Sequence, residues 1–215
     1  MQTDFALDPT PLLDDLADQL RAQGWAHMPH GLSEGMALDL LQDLHGLDES
    51  HWRLASIGRQ QDQHRNELVR RDAISWLTGA TPAQQQYLAL TEQWRLELNR
   101  RLLLGLFDYE CHYARYDAGA FYRKHLDAFR GRSNRILTMV AYLNPSWPAQ
   151  SGGELVLYSE QNDEIGRFSP TLGSVLVFLS EEFPHEVLAA DRARFSITGW
   201  FRHNNSIQGV IDPGR

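Results

Sequence analysis

The stretch Arg194–Phe195–Ser196–Ile197–Thr198–Gly199–Trp200–Phe201 shows the alternation of side chains that is typical of a β-strand. Because successive residues of a strand point to opposite faces, Arg194, Ser196, Thr198 and Trp200 share one face. If that face lines a pocket, the arginine at its start needs a carboxylate partner there. The stretch therefore predicts a strand that begins with an anion-binding side chain.

Further segments of strand character precede this one, from residue 107 onward. They predict strands at residues 111–116, 121–127, 136–143, 154–158, 165–168, 174–179 and 186–188. Turn residues separate them at intervals of roughly 8–12 residues, which is typical of a sandwich or a closed barrel. We therefore expect a mostly β fold with flanking helices, in the α+β class.

The first hundred residues have mainly helical periodicity. Amphipathic spacing predicts helices at about residues 9–22, 34–46 and 82–104, with a short edge strand at Trp25–Met28 and an extended segment at 69–77. The polar residues 48–68 predict an irregular segment. We expect one domain over residues 1–215, with helical support at about 9–104, a catalytic β half at about 105–203 and a loose tail at 204–215.

Composition excludes several classes of function. The chain has 215 residues, 42% of them hydrophobic, and no apolar run long enough to span a membrane. A net charge of −8 disfavours electrostatic binding of nucleic acid. The single cysteine, Cys111, excludes an internal disulfide and a cysteine-rich metal site. The acidic N-terminus lacks a signal sequence, so we expect a cytoplasmic protein, and we expect it to be a monomer.

Basic residues nevertheless cluster in one part of the sequence, at Arg123, Lys124, Arg130, Arg132 and Arg135. Such a cluster can be a solvated rim. It can also form a positive mouth for an anionic co-substrate or an acidic protein partner, which is the interpretation we prefer.

A histidine and an aspartate stand two residues apart in His125–Leu126–Asp127, the only His-x-Asp of the chain. On a strand, both side chains would lie on one face. His185, which follows the apolar run at 174–179, could add a second imidazole. Two histidines and a carboxylate on one face form the facial triad of non-haem Fe(II) oxygenases. His203 is a rival ligand, and for the other histidines we expect surface or structural roles, namely His27, His30, His45, His51, His64 and His112.

Arg194 follows His185 by nine residues, and its planar guanidinium could bind a carboxylate through two hydrogen bonds. That carboxylate could belong to an aspartate or glutamate of the protein, or to a dicarboxylate co-substrate. Arg192 and Arg202 are competing candidates, but the spacing and the strand parity favour Arg194.

Taken together, His125-x-Asp127, His185 and Arg194 resemble the pattern of the Fe(II)- and 2-oxoglutarate-dependent dioxygenases. The chain is more narrowly similar to the prolyl 4-hydroxylase branch, which includes the animal oxygen-sensing prolyl hydroxylases and their bacterial relatives. The segments that carry this narrower resemblance are residues 70–76, 142–155, 184–187 and 194–200, and they span about residues 69–203.

The resemblance implies a double-stranded β-helix, or jelly-roll, core and a set of site residues. It implies Fe(II) held by His125, Asp127 and His185, 2-oxoglutarate and O2 as co-substrates, and ascorbate as a candidate reductant. Arg194 and Tyr142 would bind the distal carboxylate of 2-oxoglutarate. Around them, Tyr116 would lie near the chelating end, Thr138 and Trp200 would line the pocket, and Arg70, Asp72, Trp76 and Arg135 would contact the substrate.

Residues 58–76 match the segment that closes over the peptide substrate in this family. Two departures are visible. The gap between Tyr116 and His125 is one residue shorter than in the animal enzymes, which puts the role of Tyr116 in doubt. Arg71 stands where the family usually has glycine, which reduces the backbone freedom of the segment.

The implied activity is hydroxylation of a prolyl residue in an exposed loop of a protein, giving succinate and CO2. Elongation factor Tu is a candidate substrate, because bacterial relatives include an enzyme that acts on it. A hydroxylase of a small molecule or free amino acid is the alternative. A nucleic-acid demethylase and a jelly-roll binding module without catalysis are less favoured, the first by the acidic net charge and the second by the intact triad.

Overall fold

The computed structural model describes residues 10–54, 70–128 and 133–204. Its helices are α1 (Thr10–Gln23), α2 (Glu34–His45) and α3 (Pro82–Leu102), with short 3-10 turns at Glu49–His51 and Ala149–Ser151. Its strands are β1 (Trp25–Met28), β2 (Arg53–Leu54), β3 (Asp72–Trp76), β4 (Asp108–Tyr116), β5 (Tyr122–His125), β6 (Arg135–Tyr142), β7 (Leu155–Tyr158), β8 (Glu164–Phe168), β9 (Val175–Leu179), β10 (His185–Val187) and β11 (Arg194–Arg202).

The strands form two antiparallel sheets. The major sheet has the order β1-β9-β6-β11-β4-β3-β2, and the minor sheet has the order β5-β10-β7-β8. The expectation of a mostly β fold with flanking helices is therefore confirmed. The short edge strand predicted at Trp25–Met28 is confirmed as β1, and the extended segment predicted at 69–77 contains β3, whereas β2 was not predicted. The one-domain organisation stays a prediction.

The three helices cover one face of the major sheet. Ser33 caps α2 by accepting a hydrogen bond from the Met36 backbone, and Thr81 caps α3 with Pro82 in its first turn. Leucines of α1 and α2 pack with alternate residues of the central strands, among them Ile197 and Phe201 of β11. This apolar layer fixes which face of each central strand turns toward the minor sheet.

The opposite face of the major sheet packs against the minor sheet. Val140, Tyr142 and Phe178 of the major sheet meet Leu155 and Leu157 of β7 in a second apolar cluster. On β11, Arg194, Thr198 and Trp200 face this inter-sheet space, as the alternation in the sequence predicts. The space between the sheets is therefore where a site can form.

The bounds of the predicted strands agree with the structure within three residues, but the strand predicted at 121–127 ends two residues earlier. β5 ends at His125, and Asp127 lies in a bend beyond it. The irregular segment at 48–68 is described only to residue 54, and it contains the 3-10 turn and β2. Several predictions fall outside the described residues. They concern the rest of that segment with His64, the basic residues Arg130 and Arg132, and residues 205–215 of the predicted tail. Among the described helices, none is both long and apolar enough to cross a membrane.

Candidate active site

His125, Asp127 and His185 come together between the two sheets. His125 ends β5 and pairs in register with His185, which begins β10. The Nε2 atom of His125 lies 3.5 Å from one carboxylate oxygen of Asp127, and the Nε2 atom of His185 lies 3.7 Å from the other. One ligand atom from each residue lies within 4.8 Å of the others. The three side chains therefore surround a volume of the size of a metal ion.

A β-bulge directs both Tyr122 and His125 into this space. Tyr122 pairs with Val187 while His125 pairs with His185, so a longer segment of β5 stands opposite a shorter segment of β10. The Tyr122 ring stacks on the His125 ring with centroids 3.5 Å apart. The bulge thus replaces the simple strand alternation that the sequence suggested for His125 and Asp127.

Hydrogen bonds set the proton positions on both imidazoles. The Nδ1 atom of His125 lies 2.8 Å from the carbonyl oxygen of Arg123, and Nδ1 of His185 lies 3.2 Å from that of Phe183. Because a carbonyl only accepts, Nδ1 carries the proton and Nε2 keeps a free lone pair. Burial and the neighbouring His125 lower the pKa of His185 to about 4, so its imidazole is neutral and able to bind a metal near pH 7.

The carboxylate of Asp127 is fixed by the Thr138 hydroxyl, which donates to it over 2.8 Å. The same hydroxyl lies 2.9 Å from Oγ of Ser180. Burial alone would raise the pKa of Asp127, but the two histidines and Arg135 outweigh it and lower the pKa below its usual range. Asp127 is therefore ionised, and a set of two imidazoles and one carboxylate suits Fe(II).

Arg194 is fully buried and incompletely paired. Its Nε donates to the Gly153 carbonyl over 2.9 Å, and its Nη1 donates to the Ser196 hydroxyl over 3.4 Å. Neither acceptor is a carboxylate. Within the described parts of the chain, its Nη2 atom and the hydroxyl of Tyr142 have no hydrogen-bond partner, although both are buried. A buried cation with free donors beside it fits an incoming carboxylate, because such groups are costly to leave unpaired.

The rim of the cavity near β3 is built by an ion pair. Arg70 donates two hydrogen bonds to the buried Asp72, over 2.5 and 2.7 Å. The guanidinium of Arg70 also lies 4.6 Å from the ring centroid of Tyr122, which itself stacks on His125. The Arg70–Asp72 pair is therefore separated from the His125 ring by a single ring, that of Tyr122.

A second part of the rim is aromatic. The Arg135 guanidinium lies 3.5 Å from the ring centroid of Trp200, and Trp76 is 42% exposed at the outer edge.

Two residues of the basic cluster noted in the sequence, Arg123 and Lys124, are exposed on β5. Lys124 donates to the side chain of Asn162.

Most of these groups line one cavity of about 360 Å³. The cavity brings together every predicted site residue except Tyr142 and Thr138. Tyr142 is buried beside Arg194, with its ring centroid 5.1 Å from the guanidinium carbon. Thr138 contacts Asp127 and does not line the cavity. Their roles, like those of the other site residues, stay predictions. Tyr116 lines the cavity, and its ring centroid also lies 5.1 Å from the guanidinium carbon of Arg194.

Sequence reasoning missed several residues of the site. Those with side chains in or beside the cavity are Ile74, His112, Tyr122, Val140, Leu155, Ser180, Val187 and Thr198. Thr198 shares the strand parity of Arg194 and could have been found from it. His112 was assigned a surface or structural role, but it is buried in the cavity wall. His112 shares the strand parity of Tyr116 on the strand predicted at 111–116 and could have been found from it.

Comparison with known proteins identifies similar folds and sequences. A family model described as the 2OG-Fe(II) oxygenase superfamily matches residues 111–202. A prolyl-4-hydroxylase from Pseudomonas putida is 39% identical, with a TM-score of 0.83, and the match covers 90% of this chain and 100% of that one. A prolyl hydroxylase from Trichoplax adhaerens, solved with a peptide fragment of a hypoxia inducible factor, is 26% identical over 94% of each chain, with a TM-score of 0.82.

A curated sequence relative is also similar. Egl nine homolog 1 of Rattus norvegicus is 30% identical over 142 residues, which are 62% of this chain and 41% of the relative. The chain thus spans less than half of the length of that protein. The two antiparallel sheets are the jelly-roll core that the sequence resemblance implied, since the structural neighbours share it.

Proposed function

Because the chain belongs to the 2OG-Fe(II) oxygenase superfamily, in its prolyl 4-hydroxylase branch, we propose that it hydroxylates a prolyl residue in an exposed loop of a protein. The reaction would consume 2-oxoglutarate and O2 and release succinate and CO2. One observation carries the proposal: a facial set of His125, Asp127 and His185 shares its cavity with Arg194, whose Nη2 atom has no partner among the described residues.

In this proposal, His125, Asp127 and His185 hold Fe(II), which supplies the oxidation of a substrate C–H bond coupled to decarboxylation of 2-oxoglutarate. The protein fixes the ligands before the metal arrives. Backbone carbonyls hold the Nδ1 protons, and the Thr138 hydroxyl holds Asp127. Such outer contacts orient ligands and raise metal affinity. The role of Thr138 is thus to position the carboxylate.

Arg194 and Tyr142 would bind the distal carboxylate of 2-oxoglutarate. Both have buried polar atoms that no described residue pairs with, and Nε and Nη1 of Arg194 are already held in place. Burial raises the pKa of Tyr142 to about 12, so its hydroxyl keeps its proton and can donate it to a carboxylate. Tyr116 would enclose the co-substrate beside Arg194, and Trp200 would line the same cavity further along β11, so that both exclude water and strengthen the ion pair.

The rim would bind the substrate through Arg70, Asp72, Trp76 and Arg135. The structural neighbour from Trichoplax adhaerens contains a peptide fragment, which supports a peptide or protein substrate here as well. Elongation factor Tu is the first protein we would test. We further propose that ascorbate acts as the reductant and that the enzyme works as a cytoplasmic monomer.

Mass spectrometry tests the proposal. Candidate proteins, with elongation factor Tu first, are incubated with the enzyme, Fe(II), 2-oxoglutarate and O2, and peptides are searched for a proline that gains about 16 Da, the mass of one oxygen atom. The matched control is Asp127→Ala, which removes a proposed ligand. A free amino acid or other small molecule that is hydroxylated while no protein is would replace the proposal with the small-molecule alternative.

A further inference from the structure

Three rings form one wall of the cavity: Trp76, His112 and Trp200, which we call the aromatic wall. His112 lies in the middle, with its ring centroid 5.2 Å from that of Trp76 and 5.5 Å from that of Trp200. Trp76 is partly exposed, whereas His112 and Trp200 are buried. The wall therefore runs from the open rim into the cavity, along the path of an entering substrate.

Strand register places His112 far from the proposed binding site of 2-oxoglutarate. On β4, Tyr116 stands opposite Arg194 of β11, and His112 stands opposite Thr198 of β11 and Trp76 of β3. Four residues along a strand correspond to about 13 Å. Both positions face the cavity, so His112 belongs to the end that the co-substrate would not fill.

The imidazole of His112 has a defined hydrogen-bonding state. Its Nδ1 atom lies 3.1 Å from the backbone carbonyl of Tyr113, which can only accept, so the proton is on Nδ1. Burial, with a smaller contribution from Arg70, lowers the pKa of His112 to about 4, so the ring is neutral near pH 7. Its Nε2 atom is thus a lone-pair acceptor. Within the described residues, the one hydrogen bond of His112 is that at Nδ1, and the indole N–H of the neighbouring Trp200 is a donor that also has no partner there.

We propose that His112 is a specificity-determining residue whose Nε2 atom accepts a hydrogen bond from a backbone N–H of the substrate peptide. The inference rests on the proposed function, because it requires a peptide that carries the target proline. Proline has no N–H, so the donor comes from a flanking residue. An acceptor in the cavity wall that has no hydrogen bond among the described residues favours a substrate that supplies a donor, and a substrate without that donor binds more weakly.

The test combines a protein variant with a change of one peptide atom. The probe is a synthetic peptide with the sequence around the proline that is modified in the mass-spectrometric experiment. In a series of otherwise identical peptides, one backbone amide on either side of that proline is replaced by an ester, which removes a single N–H. Both kcat and the peptide KM are measured with the wild type, His112→Met and His112→Gln, and with His30→Met as the control, because His30 is exposed.

For the wild type we expect one ester position to raise the peptide KM about three- to tenfold, the effect of one neutral hydrogen bond. His112→Met is expected to raise the KM of the amide peptide by a similar factor and to show no further rise with that ester. His112→Gln, whose side-chain oxygen can take the place of Nε2, is expected to restore the difference, and His30→Met is expected to behave as the wild type. The co-substrate KM is expected to stay within about twofold in all of them, since the two sites are separate.

Three outcomes decide the matter. If His112→Met and the wild type respond equally to every ester, His112 only packs in the wall and the inference is wrong. If no ester affects the wild type, no backbone N–H is read and the inference is also wrong. If the wild type hydroxylates no prolyl peptide at all, the proposed function itself is wrong, which the activity of the unmodified peptide shows separately.

Discussion

Replacement of Arg194 by methionine tests the co-substrate site most directly. Methionine is of similar length and apolar, so it fills much of the buried volume while it removes the charge and all donors. The competing arginines are already engaged or exposed. Arg202 forms an ion pair with Asp108 over 2.5 Å. Arg192 is exposed, and its guanidinium carbon lies 5.3 Å from the ring centroid of Trp147. We therefore expect the effect to be specific to Arg194.

The magnitude follows from what Arg194 lacks in the free enzyme. Its Nη2 has no partner in the described part of the chain, so a carboxylate gains a charge-assisted hydrogen bond there without breaking another. Loss of one partner of a buried charge pair costs about 2–5 kcal/mol. A central value of about 3 kcal/mol raises the dissociation constant of the co-substrate roughly 150-fold.

Two assays measure this effect. Succinate formation at increasing concentrations of 2-oxoglutarate gives the apparent co-substrate KM, which we expect to rise roughly 150-fold. Thermal unfolding in the presence of 2-oxoglutarate measures how much the bound co-substrate stabilises the protein, and it needs no turnover. At 100 times its dissociation constant, the co-substrate stabilises the wild type by about 2.7 kcal/mol, but a variant with 150-fold weaker binding gains only about 0.3 kcal/mol.

The control for this prediction is Arg192→Met, which removes an exposed guanidinium nearby. An unchanged KM in Arg194→Met, or an equal loss in Arg192→Met, would refute the assignment of Arg194. Loss of stability without co-substrate would show that Arg194 mainly holds the fold through Gly153 and Ser196.

Three further predictions concern the metal ligands and the cavity wall. Asp127→Ala should weaken Fe(II) binding by more than about 100-fold, measured by titration, because loss of an outer contact alone costs 10–100-fold; wild-type affinity would exclude Asp127 as a ligand. Thr138→Val should weaken Fe(II) about 10–100-fold by removing the hydroxyl that holds Asp127, with Thr91→Val as a buried control; an affinity equal to that of Thr91→Val would refute its positioning role. His112 titrates near 6.5 when unfolded but about 4 when folded, so the unfolded chain binds the extra proton between these values and stability falls as pH falls. Between pH 7 and pH 5, the lowered pKa of His112 reduces the free energy of unfolding by about 2 kcal/mol. Denaturant unfolding of the metal-free proteins should therefore show a flatter pH dependence for His112→Gln than for the wild type; an equal slope in both proteins would contradict the lowered pKa.

The comparison of β5 and β11 shows which parts of the site the sequence could predict. On β11 the alternation placed Arg194 and Trp200 on the cavity side, and the structure agrees, because a regular strand obeys a period of two. On β5 the same rule predicted that His125 and Asp127 share one face of a regular strand. The two side chains do meet in the site, but not through strand alternation. The strand ends at His125 and contains a bulge, so Asp127 reaches the site from a bend. A bulge depends on the partner strand, which local periodicity does not reveal.

Contacts around the ligands were also beyond the sequence. Thr138 was predicted to line the pocket, but its hydroxyl points to Asp127 and to Ser180, which lies 42 residues further along the chain. His112 was grouped with the surface or structural histidines, although it lies between two tryptophans of the cavity. Neither set of contacts could be read from the local sequence alone, because contacts across a sheet depend on the register of distant strands.

The sequence by itself determined the donor chemistry and the fold class. The types of residue at 125, 127 and 185, the single cysteine and the period of the strands are local properties, and they point to an iron-binding β fold. Only the tertiary structure decided that Nη2 of Arg194 has no partner among the described residues, and that the Nε2 atoms of the two histidines keep free lone pairs. The physical reason is that burial and hydrogen-bond satisfaction are set by the pairing of segments far apart in the chain, such as β5 with β10 and β4 with β11.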